Sequence, residues 1–280
     1  MYCALTVDLK DSRKYPTESR NELQGYLIEA AELLNEIFHP SLERELSFSG
    51  GDELQGLFTG PDAAFLCLRL LRRLLFPIPL HAGLGIGEWT TVVPDRNTFY
   101  QDGTAFHRAR AAIEQAKRGT DYTALMDTGG DGDARLNAMM NAAFRLAEQN
   151  TCHQNELALL LEFLYPILPS KAITDFDVSP LRELLRKRAD LAIFAGEKRQ
   201  GRRSVFDSKT MSGPYGTSPD RPLPAECGLV CSEAHPYGAA SMTADAAGLT
   251  RQAVDTALRA ANVYPERALA LALRDTLAEL

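Results

Sequence analysis

Acidic side chains at two points in the first sixty residues have the chemistry to bind a divalent cation. Asp52 and Glu53 follow Gly50 and Gly51 in the stretch ELSFSGGDELQGLF, and Asp8 ends the apolar run CALTVD. Adjacent carboxylates repel each other, and a bound cation removes that repulsion. A carboxylate at the end of a buried strand is costly unless it is paired or binds metal. The pattern predicts a cation site; the alternatives are a plain polar turn and an Asp that caps the next turn.

Two short strands joined by a tight turn must hold Asp52. Leu46 and Phe48 alternate with polar residues before the glycine pair, and Leu54 and Phe58 keep this period after it. Alternation interrupted by two glycines is typical of a β-hairpin. Glycine in the turn permits positive φ and lets a ligand come close to the backbone. We therefore expect a rigid hairpin with the acidic residues at its tip.

Helices with an apolar face follow the first strand and the hairpin. Residues 17–38 have the apolar period of a helix, and Ser19 and Glu22 have the spacing of a capping box. Pro61 stands at the first turn of a second helix, which is apolar nearly all round. These two helices are predicted to pack against a sheet.

A third strand signal, in residues 80–93, carries glycine at every second position. Gly83, Gly85 and Gly87 place three positions without side chains on one strand face. A helix, a base or a phosphate must approach that face closely. With a last strand at residues 124–126, the element order predicts an α+β fold. We expect a ferredoxin-like or palm-like mixed sheet with helices on one face, followed by an all-helical C-terminal region with a helix-turn-helix.

Basic residues lie on the helix predicted for residues 103–117. Arg110, Glu114 and Lys117 are three or four residues apart and therefore share a face. On this segment alone, the pattern favours a solvated surface of ordinary ion pairs.

Charge, composition and cysteine use restrict the class of protein. The 280 residues carry a net charge of −7, which gives no general attraction to nucleic acid. The N-terminus lacks the basic and apolar regions of a signal peptide, and no apolar run approaches the ~20 residues that span a membrane. Five cysteines without a tight framework are typical of reduced thiols. We therefore expect a cytoplasmic protein with no membrane partner.

The composition divides the chain into four predicted parts. Residues 1–134 form the sheet-containing domain, and residues 135–203 form a helical connector with a basic end. Residues 204–240, rich in Pro, Gly and Ser, read as a linker or long loop. Residues 241–280 form a helix-turn-helix region.

The C-terminal region has the pattern of a DNA-binding helix. Thr250 is placed to cap a helix that follows a turn at Gly248. The sequence Thr-Arg-Gln-Ala-Val resembles the start of the recognition helix in bacterial regulators. The resemblance implies that Thr250, Arg251 and Gln252 bind DNA. The alternative is an ordinary helical hairpin used for packing or dimerisation.

The turn at residues 50–54, Gly-Gly-Asp-Glu-Leu, resembles the signature of the GGDEF diguanylate cyclases. Residues 1–130 are similar to the palm-like fold that these enzymes share with adenylyl and guanylyl cyclases. The resemblance implies that Asp8, the Leu9 carbonyl and Asp52 bind Mg²⁺ or Mn²⁺. Leu54 stands where diguanylate cyclases have Phe, and their guanine-reading residues have no match, so the base stays open.

The same resemblance implies roles for the helix of residues 103–117. Lys117, in Ala116-Lys117-Arg118, matches a lysine that contacts phosphates in diguanylate cyclases, and Arg110 is within one residue of the family's arginine. Both are expected to be catalytic. His107 stands near the place of an asparagine of the cyclases. Together with His107, the turn residues Gly50, Gly51 and Glu53 are expected to contact the nucleotide.

Over its full length the chain resembles the SatD family of bacterial proteins. The stretches that carry this resemblance are ALTVDLKDSR, FSGGDELQGLF, LHAGLGIGEW and DGTAFHRAR. The predicted function is a Mg²⁺-dependent palm that binds a nucleoside triphosphate, with nucleotidyl transfer or cyclisation, coupled to a DNA-binding helix-turn-helix in regulation. The alternative is a transcriptional regulator whose palm is catalytically inactive. A homodimer is expected if the chemistry is of the diguanylate type, since that chemistry needs two facing palms.

Overall fold

A sheet with interleaved helices precedes an all-helical region. The computed structural model describes residues 1–11, 14–50, 53–94, 96–119, 121–167, 179–195, 204–206 and 232–280. The strands are β1 (Tyr2–Leu9), β2 (Leu42–Gly50), β3 (Glu53–Phe58), β4 (Leu80–Gly87) and β5 (Ala124–Asp127). The helices among them are α1 (Thr17–Phe38), α2 (Pro61–Leu75) and α3 (Thr104–Arg118). The later helices are α4 (Asp133–Glu148), α5 (Cys152–Leu164), α6 (Ser179–Asp190), α7 (Ala192–Ala195), α8 (Ala239–Ala247), α9 (Arg251–Ala260) and α10 (Val263–Ala278).

The five strands in the described ranges form one mixed sheet in the order β2-β3-β1-β4-β5. The strand β1 lies in the middle and pairs antiparallel with β3 and β4, and β5 pairs parallel with β4. A parallel pair needs a crossover connection, which α3 supplies between β4 and β5. The predicted α+β fold class, with a palm-like mixed sheet before an all-helical region, is confirmed.

Helices α1 and α2 cover one face of the sheet and enclose the main core. Alternate β1 residues, including Leu5 and Val7, point into this core and are buried. The helix predicted for residues 17–38 is confirmed to the residue. The predicted capping box is wrong: the N-cap residue is Pro16 and has no side-chain cap, so Ser19 lies inside the first helical turn.

Helix α3 lies on the opposite face, so the expectation of helices on one face alone is wrong. The glycines of β4 explain this placement, because a Cβ on Gly85 would lie 2.1 Å from the carbonyl oxygen of Ala105 in α3. A Cβ on Gly83 would lie 2.1 Å from the Ala109 oxygen. Among the three occupants that the glycine pattern allowed, the structure has a helix.

Helix α4 covers the free edge of β5 with two asparagines. Asn137 donates to the Met126 carbonyl at 2.8 Å and accepts from its N–H at 2.6 Å. Asn141 donates to the Ala124 carbonyl at 2.7 Å. These amides satisfy the backbone groups of an edge strand. The division of the chain between residues 134 and 135 stays a prediction.

A buried network of ion pairs joins α2 to α5 and α10. Arg69 donates to both carboxylate oxygens of Glu266 at 2.7 Å each and to Glu162 at 2.8 Å. Arg73 donates to Glu266 at 2.5 Å, and Arg267 donates to Glu162. Burial alone would raise the pKa of Glu162 and of Glu266, but the arginines hold both below their usual value. The C-terminal helix is therefore tied to the palm through charge.

No helix in the described part of the chain is long and apolar enough to cross a membrane.

Candidate functional site

The end of β1 brings Asp8 against a lysine of α3. Asp8 is partly buried at the end of the central strand, and its Oδ2 atom lies 2.6 Å from Nζ of Lys117. Packing against the β4 glycines fixes α3 along the strand, and Lys117 lies in the last turn of that helix. The structure thus joins two of the predicted site residues.

A second ion pair lies next to the first. Arg110 donates two hydrogen bonds, of 2.6 and 2.7 Å, to the two carboxylate oxygens of Glu53 at the start of β3. Asp8 and Glu53 are register partners in the antiparallel pair of β1 and β3, so their side chains point to the same face. Two carboxylates on neighbouring strands thus face two basic side chains of one helix, α3.

His81 extends this row onto a third strand and was missed by the sequence reasoning. It is the register partner of Asp8 on β4, is 8% exposed, and its Nδ1 atom has no hydrogen-bond partner among the described residues. Burial lowers the pKa of His81, as do the charges of Lys10 and Lys117. A neutral imidazole therefore lies beside the Asp8–Lys117 pair. Its place at the start of a glycine-rich strand was visible in the sequence, but the cross-strand register was not.

Polar residues form the floor beside the two ion pairs. Thr6 and Gln55 are register partners two residues from Asp8 and Glu53, and Gln55 donates to Thr6 at 3.4 Å. The buried Thr98, from the segment before α3, donates to the Gln55 carbonyl at 3.2 Å. This half of the face is therefore polar, unlike the half that α3 covers.

The hairpin turn is described only in part. Gly50 pairs with Glu53, which leaves Gly51 and Asp52 between the paired residues. Gly51 and Asp52 lie outside the described residues, so their predicted roles stay predictions. The predicted strands on both sides of the turn are confirmed.

His107 and Leu9 lie apart from the two ion pairs. His107 is largely exposed in the first turns of α3, and its Nε2 atom lies 3.0 Å from Asp102. The structure pairs it with this loop residue and not with the carboxylates of β1 and β3. The Leu9 side chain is buried in the main core, on the face opposite Asp8. The role assigned to Leu9 needs only its carbonyl, which directly follows Asp8 in the chain.

The carboxylates fit the needs of a small divalent cation. Within the described ranges, no group of three or more His, Cys, Asp and Glu side chains is arranged to hold a metal. Magnesium needs fewer protein ligands, because it commonly takes one or two carboxylates and completes its shell with water and phosphate oxygens. Asp8 supplies a carboxylate of this kind, whereas both carboxylate oxygens of Glu53 accept hydrogen bonds from Arg110. The chemistry of the Asp8 carboxylate therefore fits Mg²⁺ or Mn²⁺.

The C-terminal pair of helices carries the residues predicted to bind DNA. Helix α8 ends at Ala247 with Gly248, whose φ is +64°, as its C-cap, and α9 follows with Thr250 as its N-cap. The Thr250 hydroxyl accepts a hydrogen bond from the Ala253 N–H at 3.3 Å, as predicted. Arg251 and Gln252 are exposed at the start of α9, whereas the other side of that helix is buried. The turn therefore leaves both side chains accessible.

The fold and the site together define a palm-like α+β protein with acidic residues opposite basic ones. The chain belongs to the SatD family, whose model matches residues 2–166. No curated protein sequence matches the chain. Among solved structures, the chain is similar to a bacterial light-regulated adenylyl cyclase at 18% identity and a TM-score of 0.30, over 45% of this chain and 74% of that one. The family match covers the whole sheet and extends past α5.

Proposed function

We propose that the palm-like part binds a nucleoside triphosphate together with Mg²⁺ or Mn²⁺ and transfers or cyclises its nucleotidyl group. The observation that carries this proposal is the row of carboxylates, Asp8 and Glu53, set opposite Arg110 and Lys117 on one face of the sheet. The Asp8 carboxylate binds the cation, and the basic side chains match the phosphate charge. A site for a neutral ligand needs neither set.

Each side chain has a separate part in this proposal. Asp8, the Leu9 carbonyl and Asp52 hold the cation. When bound, the cation activates a hydroxyl nucleophile and neutralises the pyrophosphate leaving group. Lys117 turns from Asp8 toward the phosphates, and Arg110, held by Glu53, directs its remaining N–H donors to them, so that both stabilise charge that develops on the phosphates. Glu53 holds Arg110 through two parallel hydrogen bonds and so sets the direction of its guanidinium.

The test of metal-dependent binding is a thermal shift against each of the four ribonucleoside triphosphates, with and without Mg²⁺. A ligand at 100 times its Kd stabilises the folded state by about 2.7 kcal/mol, roughly 5–11 °C for a domain of 150–250 residues. Asp8→Asn and Asp52→Asn are expected to abolish the shift. Asp275→Asn, which changes an exposed carboxylate on α10, should retain it. A shift that needs no metal, or that survives Asp8→Asn, would sink the proposal.

The role of the basic side chains is tested with a separate pair of variants. Lys117→Gln is expected to weaken triphosphate binding, since a charge-assisted hydrogen bond contributes about 1.5–3 kcal/mol. Arg118→Gln is the matched control, because Arg118 is the next residue, is mostly exposed and contacts Glu114 at 3.4 Å. Equal affinities of the two variants would remove Lys117 from the site. Release of pyrophosphate, followed by ³¹P NMR, then separates an enzyme from a palm that binds nucleotide without turnover.

We also propose that α9 binds DNA, so that the palm acts in regulation. This is supported by the exposed Arg251 and Gln252 at a capped helix start. Selection from a random duplex pool, followed by affinity measured against salt, is the test. Arg251→Ala should weaken binding and Arg259→Ala, at the far end of α9, should not. If Arg251→Ala binds as wild type does, the alternative of packing or dimerisation holds. DNA binding without metal-dependent nucleotide binding would identify a regulator with an inactive palm.

A further inference from the structure

A cavity of about 260 Å³ lies away from the palm face, between α2, the segment of residues 76–80, α4 and α10. Three arginines of α2 line it: Arg69, Arg72 and Arg73. Arg73 is 2% exposed, which is unusual for a charged side chain that lines a cavity. Neither the two ion pairs of the palm, Asp8–Lys117 and Glu53–Arg110, nor the helix-turn-helix contributes to this cavity.

Buried guanidinium groups around the cavity keep unpaired N–H donors. Arg73 uses Nη2 to donate to Glu266 at 2.5 Å, while its Nε and Nη1 atoms have no hydrogen-bond partner in the described part of the chain. Arg72 donates through Nη2 to Glu148, and its Nη1 atom has no partner among the same residues. Buried donors of a charged group are rarely left unpaired, because the lost hydration is not repaid. A ligand with hydrogen-bond acceptors would therefore satisfy these N–H donors.

The charges that line the cavity do not balance. Two carboxylates, Glu148 and Glu266, line the cavity with the three arginines, and a third, Glu162, pairs with Arg69 but also with Arg267. These four arginines thus share three carboxylates, and Glu266 already accepts three hydrogen bonds. Burial lowers the pKa of Arg72 to about 10 even though Glu148 is next to it. Water molecules can accept hydrogen bonds from the free donors, but they carry no charge. An anion satisfies the donors and the charge together.

The remaining walls are apolar and limit the ligand. The ring of Phe144 lies 4.4 Å from the Arg72 guanidinium carbon, and Phe76, Ile78 and Leu80 line the cavity near it. Ligand pockets of this kind combine apolar walls with a few polar groups that fix orientation. The volume is below that of most pockets for drug-sized molecules, so the ligand must be compact.

We propose that this cavity binds a small organic anion, whose carboxylate or phosphate head meets Arg72 and Arg73 and whose apolar body lies against Phe144. The bidentate geometry of a guanidinium suits both heads. The cavity is separate from the palm face, so the test of this proposal is independent of the test of nucleotide binding.

The test uses the full chain and two compact probes, benzoate and phenyl phosphate, titrated by calorimetry against sodium chloride at equal ionic strength. Saturable binding of at least one probe is expected, and comparison of the two identifies the preferred head. Arg73→Gln should weaken the affinity roughly ten- to hundredfold, the value of one charge-assisted contact. Asp8→Asn should bind the probe as wild type does, because it changes only the palm.

A volume change tests the cavity without removing charge. Ala147 lines the cavity on α4, and Ala147→Phe is expected to abolish probe binding by filling the space. Ala142→Phe, at an exposed position of the same helix, is the matched control and should bind normally. Failure of both probes to bind wild type at millimolar concentration would overturn the proposal. Unchanged binding by Ala147→Phe would overturn it as well.

Discussion

Replacement of Glu266 by glutamine is expected to destabilise the whole chain strongly. The Glu266 carboxylate is 1% exposed and accepts two hydrogen bonds from Arg69 and one from Arg73, of 2.7, 2.7 and 2.5 Å. Glu266→Gln keeps the size of the side chain but removes its charge, and it brings an NH₂ group toward two guanidinium groups. Removing one partner of a buried ion pair typically costs about 3–5 kcal/mol. That is a third or more of the free energy of unfolding of many domains.

The assay is urea unfolding of wild type and variant, followed by circular dichroism and extrapolated to zero denaturant. Asp275→Asn is the matched control: it removes one carboxylate from the same helix, where the Asp275 side chain is 61% exposed and contacts Arg274 at 2.7 Å. An exposed pair contributes at most about 1 kcal/mol. A loss below about 1 kcal/mol for Glu266→Gln, or equal losses for the two variants, would refute the role assigned to the network.

Four further variants, one of them compared with wild type in a pH series, test other contacts. Gly85→Ala should cost about 1–3 kcal/mol or more in chemical unfolding, because its Cβ would lie 2.1 Å from a backbone oxygen of α3. Gly25→Ala, whose Cβ would have no atom within 4 Å, should instead stabilise α1 by about 0.5–1 kcal/mol. Changes of the same sign in the two glycine variants would contradict this reasoning. Thr151→Ala removes a capping box from α5 and should lower the unfolding free energy by about 1 kcal/mol, whereas an unchanged value would contradict the cap. The arginines hold the pKa of Glu162 below its ordinary 4.5, so wild type should lose stability as the pH falls below about 4.5. Glu162→Gln, less stable at neutral pH, should show a flatter acid dependence.

Local patterns predicted most of the palm. The apolar period of α1 gave its bounds, and the glycine pair between alternating residues gave the hairpin strands. The contact between Asp8 and Lys117 joins two residues that the resemblance to the cyclases had singled out. The predictions of α1 and of the hairpin strands succeeded because hydrophobic period and turn chemistry act over a few residues.

Long-range contacts could not be predicted in the same way. Arg69 and Glu266 are 197 positions apart in the sequence. The pattern of α2 predicts a helix that is apolar nearly all round, and it does not indicate that Arg69 and Arg73 are buried. His81 joined the site through strand register, which depends on how β1 and β4 align. The apolar Leu249 is 39% exposed directly after the turn at Gly248, which the residue type alone does not indicate.

The close approach of α3 to the glycines of β4 sets the distance between the charged side chains of the site. An ordinary carbon contact is about 3.5 Å, so a methyl group at Gly83, 2.1 Å from the Ala109 oxygen, would push α3 away by roughly 1.4 Å. Lys117 is carried by the same helix, and its 2.6 Å contact with Asp8 would then exceed the usual length of a hydrogen bond. A residue with no functional group thus governs the spacing of the charges. Loss of the proposed triphosphate binding in a Gly83→Ala variant would therefore report on helix position rather than on chemistry.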